Sequence, residues 1–287
     1  MAATPERRSI KGINEVDEYH FHTCGNENGE PLFLHHGFTG SGLVWLAMVA
    51  HLPLQQYRCI IFDTRGSGSN TATYAHYRDF TLERLADDVV GLADALGISQ
   101  FSFVGHSMGG GIGMLLALLH PQRVKRLILV APIPSDGLGF IPPKAHERDR
   151  WTRSQPDARA RLAEEAKAFA ARPPSDEEVE RGAWEAMLKF NVMERLHTMR
   201  VPTLMVAGAA DGLLHLNLRD FEKLKLASLH VFSRVGHLIP REVPRELGEC
   251  VVDFIEHGVV TSVTLAKQYM AKKRQEREAA AHKKSAL

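Results

Sequence analysis

Apolar runs and helical patterns alternate along most of the chain. Short apolar runs bounded by turn residues predict strands. These lie at Glu18–His22, Pro31–His35, Arg58–Phe62, Phe101–Val104, Arg126–Val130, Pro202–Ala207 and Leu229–Phe232. Apolar residues spaced three and four apart predict helices at Leu43–His51, Thr81–Leu96 and Met108–His120. Because strand and helix alternate, we predict an α/β fold with a mostly parallel central sheet and helices on both faces.

The alternation stops in the middle of the chain. Residues 133–197 have helical patterns, at Asp157–Ala171 and Ser175–Leu188, and no convincing strand. About 65 residues of helix would struggle to bury a core alone. We therefore predict one α/β core made of residues 1–132 and 198–258, with residues 133–197 inserted as a helical cap.

Composition excludes several classes of function. The chain has 287 residues, 44% of them hydrophobic and 24% charged, with a formal net charge of +1. This near-neutral balance gives no electrostatic case for a nucleic-acid partner. The three cysteines and the histidines show no metal-ligand spacing, so no metal or other cofactor is expected. No signal peptide and no apolar stretch of about 18 residues is found, so we expect a cytoplasmic protein without a membrane span.

The end of the chain is basic. Residues 261–287 contain seven Lys and Arg against two Glu. Their composition favours a helix but shows no continuous apolar stripe. We predict a basic helical extension over residues 259–287 that is exposed to solvent, with an arm for an acidic surface as the alternative. Neither its role nor the oligomeric state follows from the sequence.

A motif with known chemistry joins a predicted strand to a predicted helix. Gly105-His106-Ser107-Met108-Gly109 matches Gly-x-Ser-x-Gly, and it follows the strand Phe101–Val104 directly. In this context the pattern is a nucleophile elbow, a tight turn that presents a serine hydroxyl beside the N-terminus of a helix. We therefore predict that Ser107 is a nucleophile.

An elbow serine needs an acid after a later strand and then a histidine base after the last strand, in the chain order Ser, Asp, His. Asp211 follows the strand that ends at Ala207, and His237 follows the strand that ends at Phe232. We predict His237 as the base and Asp211 as the acid that orients it. Asp136, shortly after the strand Arg126–Val130, is the alternative acid.

Acyl transfer also needs hydrogen-bond donors for an oxyanion. His36-Gly37-Phe38-Thr39-Gly40 follows an apolar strand and can direct backbone N–H groups into the site. The backbone amides of Phe38 and Met108 are the predicted donors. His36 is expected to brace this loop, and an Asp–Arg clasp is expected to fix the turn Asp63–Gly68.

These motifs, with Ala207–Asp211 and Gly236-His237, resemble the α/β-hydrolase superfamily, in the capped group of esterases, lactonases and carbon–carbon bond hydrolases. The resemblance spans residues 30–240 and implies the fold and the triad. Related dehalogenases and epoxide hydrolases carry Asp where this chain has Ser107, and the epoxide hydrolases use cap tyrosines that residues 133–197 lack. Hydrolases of aromatic ring-cleavage products usually have Asn where His106 stands.

The predicted activity is hydrolysis of a small or medium carboxylic ester or lactone through an acyl-enzyme. Trp151, Trp184 and Met187 of the cap are the candidate substrate-binding residues, and the partner is a small ester-type molecule. One alternative is carbon–carbon bond hydrolysis of a diketone. Another is a ligand-binding, receptor-like protein that retains the triad with little turnover.

Overall fold

One eight-stranded sheet forms the centre of the molecule. The computed structural model describes residues 5–11, 18–67, 70, 80–139 and 177–285. The strands are β1 Glu6–Lys11, β2 Glu18–Gly25, β3 Glu30–His35, β4 Tyr57–Phe62, β5 Phe101–His106, β6 Val124–Val130, β7 Thr203–Gly208 and β8 Ala227–Phe232. Their order is β1-β2-β4-β3-β5-β6-β7-β8. Strands β3 to β8 run parallel and β1 and β2 pair antiparallel, which confirms the predicted α/β fold.

Helices cover both faces of this sheet. They are α1 Leu46–Val49, α2 Leu82–Ala95, α3 Met108–Leu119, α4 Glu177–Lys189, α5 Leu214–Lys223, α6 Ile239–Glu242, α7 Pro244–His257 and α8 Ser262–Ser285, with 3-10 turns at Gly42–Trp45 and Met193–Thr198. Helices α2 and α3 pack on one face, for example through Leu92 and Ile112. Helices α1 and α7 pack on the other, through Met48 and Val251. Two apolar layers therefore hold the sheet between them.

Strand β1 was not predicted from the sequence. Its residues include Glu6, Arg7, Arg8 and Lys11, and most of its side chains are exposed or half-buried. It is an edge strand that pairs with β2 through the backbone, so it needs no apolar run. Charged side chains on such an edge are typical, because they discourage pairing with other chains.

The predicted cap lies mostly outside the described residues. The predicted helix Asp157–Ala171 and the candidate Trp151 fall there, whereas the second cap helix is present as α4. The division into core, cap and extension therefore stays a prediction. Helix α8 lies within the predicted basic extension, and the side chains described along it are mostly exposed. No helix in the described parts of the chain is long and apolar enough to cross a bilayer.

Candidate active site

The turn between β5 and α3 places Ser107 in a strained backbone conformation. Its φ and ψ are 54° and −113°, a region that non-glycine residues rarely adopt. The Ser107 N–H donates to the carbonyl of Val130 at 3.0 Å, and its own carbonyl accepts from the Ile133 N–H at 3.0 Å. The parallel neighbour β6 and the loop that follows it therefore hold the turn in place.

The glycines of the elbow are required by close approach of the backbone. A Cβ at Gly105 would lie 2.2 Å from the carbonyl oxygen of Gly109. A Cβ at Gly109 would lie 2.7 Å from the carbonyl oxygens of both His35 and His36. A side chain at Gly105 would push α3 away from β5, and one at Gly109 would push α3 away from the end of β3. The tight turn therefore requires glycine at both positions.

The structure brings the three predicted triad residues together. Oγ of Ser107 lies 3.0 Å from Nε2 of His237, and Nδ1 of His237 lies 2.9 Å from Oδ2 of Asp211. Asp211 follows β7 and His237 follows β8, so the three side chains come from the carboxyl ends of three parallel strands. Such strand ends are where ligand sites of α/β sheets form. Ser107 and Asp211 are buried, and His237 is about one-third exposed.

Asp211 is arranged to stay ionised. Burial alone would raise its pKa, but the neighbouring His237 and hydrogen bonds from the His237 ring and the Leu213 amide outweigh burial, so the pKa is lowered. The Leu213 N–H donates to Oδ1 at 3.0 Å. A carboxylate only accepts hydrogen bonds, so Nδ1 of His237 carries the proton. Nε2 is then left to accept the hydroxyl proton of Ser107.

Asp136, the alternative acid, is directed elsewhere. Both of its carboxylate oxygens accept hydrogen bonds from the Arg219 guanidinium, at 2.8 and 2.6 Å. Arg219 also contacts Asp220, which is fully buried and accepts from the backbone and hydroxyl of Ser135 at 2.7 and 2.8 Å. Asp136 thus belongs to an ionic cluster that ties the loop after β6 to α5.

The loop that carries Phe38 lies against Ser107. A Cβ at Gly37 would lie 3.0 Å from Cβ of Ser107, so backbone and nucleophile are in contact. Met108 is the first residue of α3, where N–H groups have no acceptor within the helix. The helix dipole also favours negative charge at this end. The two predicted donors, the amides of Phe38 and Met108, therefore belong to the two segments that adjoin Ser107.

His36 braces this loop, as expected from the sequence. Its Nδ1 donates to the Gly37 carbonyl at 2.7 Å, and its Nε2 accepts from the Thr64 N–H at 2.9 Å. Burial lowers the pKa of His36, so the ring stays neutral. The loop that carries Phe38 is thereby tied to the loop after β4. In the latter loop the Arg65 guanidinium pairs with Asp88 of α2, and the Asp63 carboxylate accepts from the Gly42 N–H at 2.6 Å.

The described cap residues occupy two different environments. Trp184 is 45% exposed, and its ring centroid lies 5.8 Å from that of Phe38. Met187 is 1% exposed and packs in the core, and its carbonyl accepts from the Leu138 N–H. The two side chains were expected to share one face, but they lie about 60° apart around the helix axis, and α4 packs so that Met187 enters the core while Trp184 stays at its edge. Of these two described candidates, Trp184 is the one beside the loop that carries Phe38, residues 36–40, which we call the predicted oxyanion loop.

His106 is a neighbour of the site to which the sequence analysis assigned no role, having named it only as a departure from the hydrolases of ring-cleavage products. Its Nε2 lies 2.8 Å from the backbone carbonyl oxygen of His237. It occupies a variable position of the Gly-x-Ser-x-Gly motif, so the motif itself gives no signal for this contact. In the described part of the chain, no group of three or more His, Cys, Asp or Glu side chains is placed to hold a metal ion.

Comparison with known proteins identifies the family. A family model described as alpha/beta hydrolase fold matches residues 30–155. A protein of Caulobacter sp. (strain K31) named "Putative carbamate hydrolase RutD" is 31% identical over 247 residues, which cover 79% of this chain and 90% of that protein. This chain belongs to the α/β-hydrolase fold family.

Solved structures of α/β-hydrolases match nearly the whole chain. Est816, described as an N-acyl homoserine lactone degrading enzyme, is 26% identical with a TM-score of 0.70, covering 86% of this chain and 100% of that one. The meta-cleavage product hydrolase CumD of Pseudomonas fluorescens IP01 is 26% identical with a TM-score of 0.68, covering 87% and 97%. This α/β-hydrolase is accordingly a hydrolytic enzyme.

Proposed function

We propose that this α/β-hydrolase cleaves a small or medium carboxylic ester or lactone through an acyl-enzyme on Ser107. The observation that carries the proposal is the unbroken hydrogen-bonded series from Ser107 through His237 to Asp211, with distances of 3.0 and 2.9 Å. A serine hydroxyl becomes a useful nucleophile when such a base lies within hydrogen-bond reach.

The proposed reaction has two halves. Oγ of Ser107 attacks the carbonyl carbon while Nε2 of His237 takes the hydroxyl proton, and the ionised Asp211 stabilises the resulting imidazolium. The backbone amides of Phe38 and Met108 donate to the tetrahedral oxyanion. When that intermediate collapses, His237 protonates the departing alkoxide. Water, deprotonated by His237, then attacks the acyl-enzyme, and collapse of the second intermediate releases the acid and restores Ser107.

The surroundings of the nucleophile favour an apolar acyl group. The exposed Trp184 ring beside Phe38 offers an aromatic surface near the predicted oxyanion loop. Such surfaces bind apolar groups and exclude water from the reacting centre. The likeness to Est816, named as a lactone-degrading enzyme, supports an ester or lactone as the substrate class.

Carbon–carbon hydrolysis of a diketone is the second candidate. It is favoured by the likeness to CumD, named as a meta-cleavage product hydrolase. The same serine and base could cleave a vinylogous diketone, because that reaction also ends with water attacking an activated carbonyl. His106, at a position where such hydrolases usually have Asn, is the feature that disfavours it.

Two measurements test the proposal. A fluorophosphonate probe should label wild-type protein at Ser107, identified by peptide mass spectrometry, and should not label Ser107→Ala. A panel of acyl esters, acyl homoserine lactones, carbamates and vinylogous diketones should then show turnover of esters or lactones. Absence of an adduct on Ser107 would support a receptor-like role, and turnover of diketones alone would support carbon–carbon hydrolysis.

A further inference from the structure

A buried histidine of the elbow contacts the backbone of the proposed base. Nε2 of His106 lies 2.8 Å from the carbonyl oxygen of His237. The centroids of the two imidazole rings are 5.0 Å apart, with 48° between their planes. His106 thus approaches His237 through its backbone and through its ring, although the two residues are 131 positions apart in the chain.

The protonation state of His106 follows from its surroundings. The side chain is 5% exposed, and burial, followed by repulsion from His237, lowers its pKa to about 3. The ring is therefore neutral at ordinary pH and carries one N–H. Because a carbonyl oxygen can only accept, that hydrogen is on Nε2. The contact is consequently a hydrogen bond from the His106 ring to the His237 carbonyl.

His106 is anchored at the end of a central strand. His106 is the last residue of β5, in register with Val130 of β6, and it immediately precedes Ser107. A Cβ at Gly37 would lie 3.0 Å from Nδ1 of His106, so the oxyanion loop closes the other side of the ring. The loop that carries His237 follows β8, which is an edge strand of the described sheet. His106 links this edge loop to the centre of the sheet.

We propose that His106 is a positioning residue for His237: its ring N–H fixes the His237 backbone so that the imidazole stays within reach of Ser107. This inference rests on the proposed function. It assigns no proton transfer to His106, whose ring N–H is donated to the His237 carbonyl. It explains why a polar ring occupies a buried position between two loops of the site.

The test compares two substitutions of similar size. His106→Gln keeps an N–H donor near the position of Nε2. His106→Met introduces a side chain of nearly the same shape as Gln but without a donor. We expect His106→Met to lower kcat and the rate of fluorophosphonate labelling by roughly 10- to 100-fold with little change in KM, since small misplacement of a catalytic group costs about this much. His106→Gln should recover most of the loss. Thermal unfolding of both variants, measured in parallel, corrects for any general loss of stability.

Three outcomes would overturn the inference. Equal activity of the Gln and Met variants would show that the donor does not matter. A fall in activity that follows the loss of stability alone would assign His106 to packing. Nitrogen NMR of the wild-type protein that places the His106 hydrogen on Nδ1 would remove the hydrogen bond itself. The NMR measurement needs no substrate, so it distinguishes failure of this inference from failure of the proposed function.

Discussion

Asp136 and Arg219 form a two-point ion pair, with the guanidinium donating to both carboxylate oxygens at 2.8 and 2.6 Å. The pair engages both oxygens of Asp136, one of the two acids that the sequence leaves open as the partner of His237. Each follows a strand of the parallel sheet, and only one, Asp211, has an oxygen within hydrogen-bond distance of the His237 ring. The roles of these carboxylates can be separated by matched substitutions.

Asp211→Asn should lower kcat/KM by about 10⁴, because an amide at this position favours the wrong imidazole tautomer and no longer stabilises the imidazolium. Asp136→Asn should leave kcat/KM within a few-fold of wild type, since it weakens only the pairing with Arg219. Steady-state kinetics on the best ester of the panel measure both. A large loss in Asp136→Asn with little loss in Asp211→Asn would reverse the assignment.

Gly37→Ala should impair catalysis without unfolding the protein. The added methyl would lie 3.0 Å from Cβ of Ser107 and from Nδ1 of His106, so the loop must move by a few tenths of an ångström. Loss of one oxyanion donor typically costs on the order of 10²–10³ in rate, and we expect kcat to fall by about 10². Gly248→Ala in α7 is the control, because its nearest neighbour is at 3.4 Å. Equal activity of the two variants would contradict a role for the loop.

Trp184→Ala should alter acyl-chain selectivity. Removing the exposed ring beside Phe38 should lower kcat/KM for larger apolar acyl groups by about 10-fold and leave acetyl esters nearly unchanged, as expected for apolar contacts in a pocket. Leu188→Ala, on the same helix and also exposed, is the matched control. An identical chain-length profile in wild type and Trp184→Ala would show that the ring does not contact substrate.

His35 should make the protein less stable in acid. Burial, and to a smaller extent repulsion from His36, lowers its pKa to about 3, whereas an unfolded histidine titrates near ~6.5. As the pH falls, the unfolded state therefore binds the proton first. The contribution of the neutral His35 ring to the free energy of unfolding is fully present above pH ~6.5 and is lost as the pH falls toward 3.

Replacing the His35 ring should weaken the pH dependence of the free energy of unfolding. In His35→Phe, the slope of unfolding free energy against pH between 4 and 6 should decrease by up to about 1.4 kcal/mol per pH unit, which corresponds to one proton. Urea denaturation at several pH values measures it. The exposed His197, changed to Phe, is the control and should leave the slope as in wild type. An unchanged slope in His35→Phe would show that another group carries the acid sensitivity.

The sequence predicted the centre of the fold because buried parallel strands are continuous apolar runs. It predicted Ser107, Asp211 and His237 as a set because the elbow fixes the order of its partners. The structure places Ser107 and Asp211 each within hydrogen-bond distance of the His237 ring. Strand β1 was missed since an edge strand needs only backbone pairing.

Other features depend on tertiary contacts that spacing cannot reveal. Helical periodicity grouped Trp184 with Met187, but the side chain that enters the core is decided by what the helix packs against. Asp136 could be separated from Asp211 only once Arg219, 83 residues away, was seen to pair with it. The contact between His106 and His237 likewise joins positions that are remote in the chain.

The position of His237 after β8 has a consequence for inactivation. Among the described strands β8 pairs only with β7, whereas β5, which ends just before Ser107, lies between two parallel neighbours. Edge elements open at lower free energy than central ones. On warming, the base should therefore separate from the serine while the middle of the sheet is still folded. Loss of turnover would then precede the loss of secondary structure, and activity would report on the periphery of the molecule and not on its core.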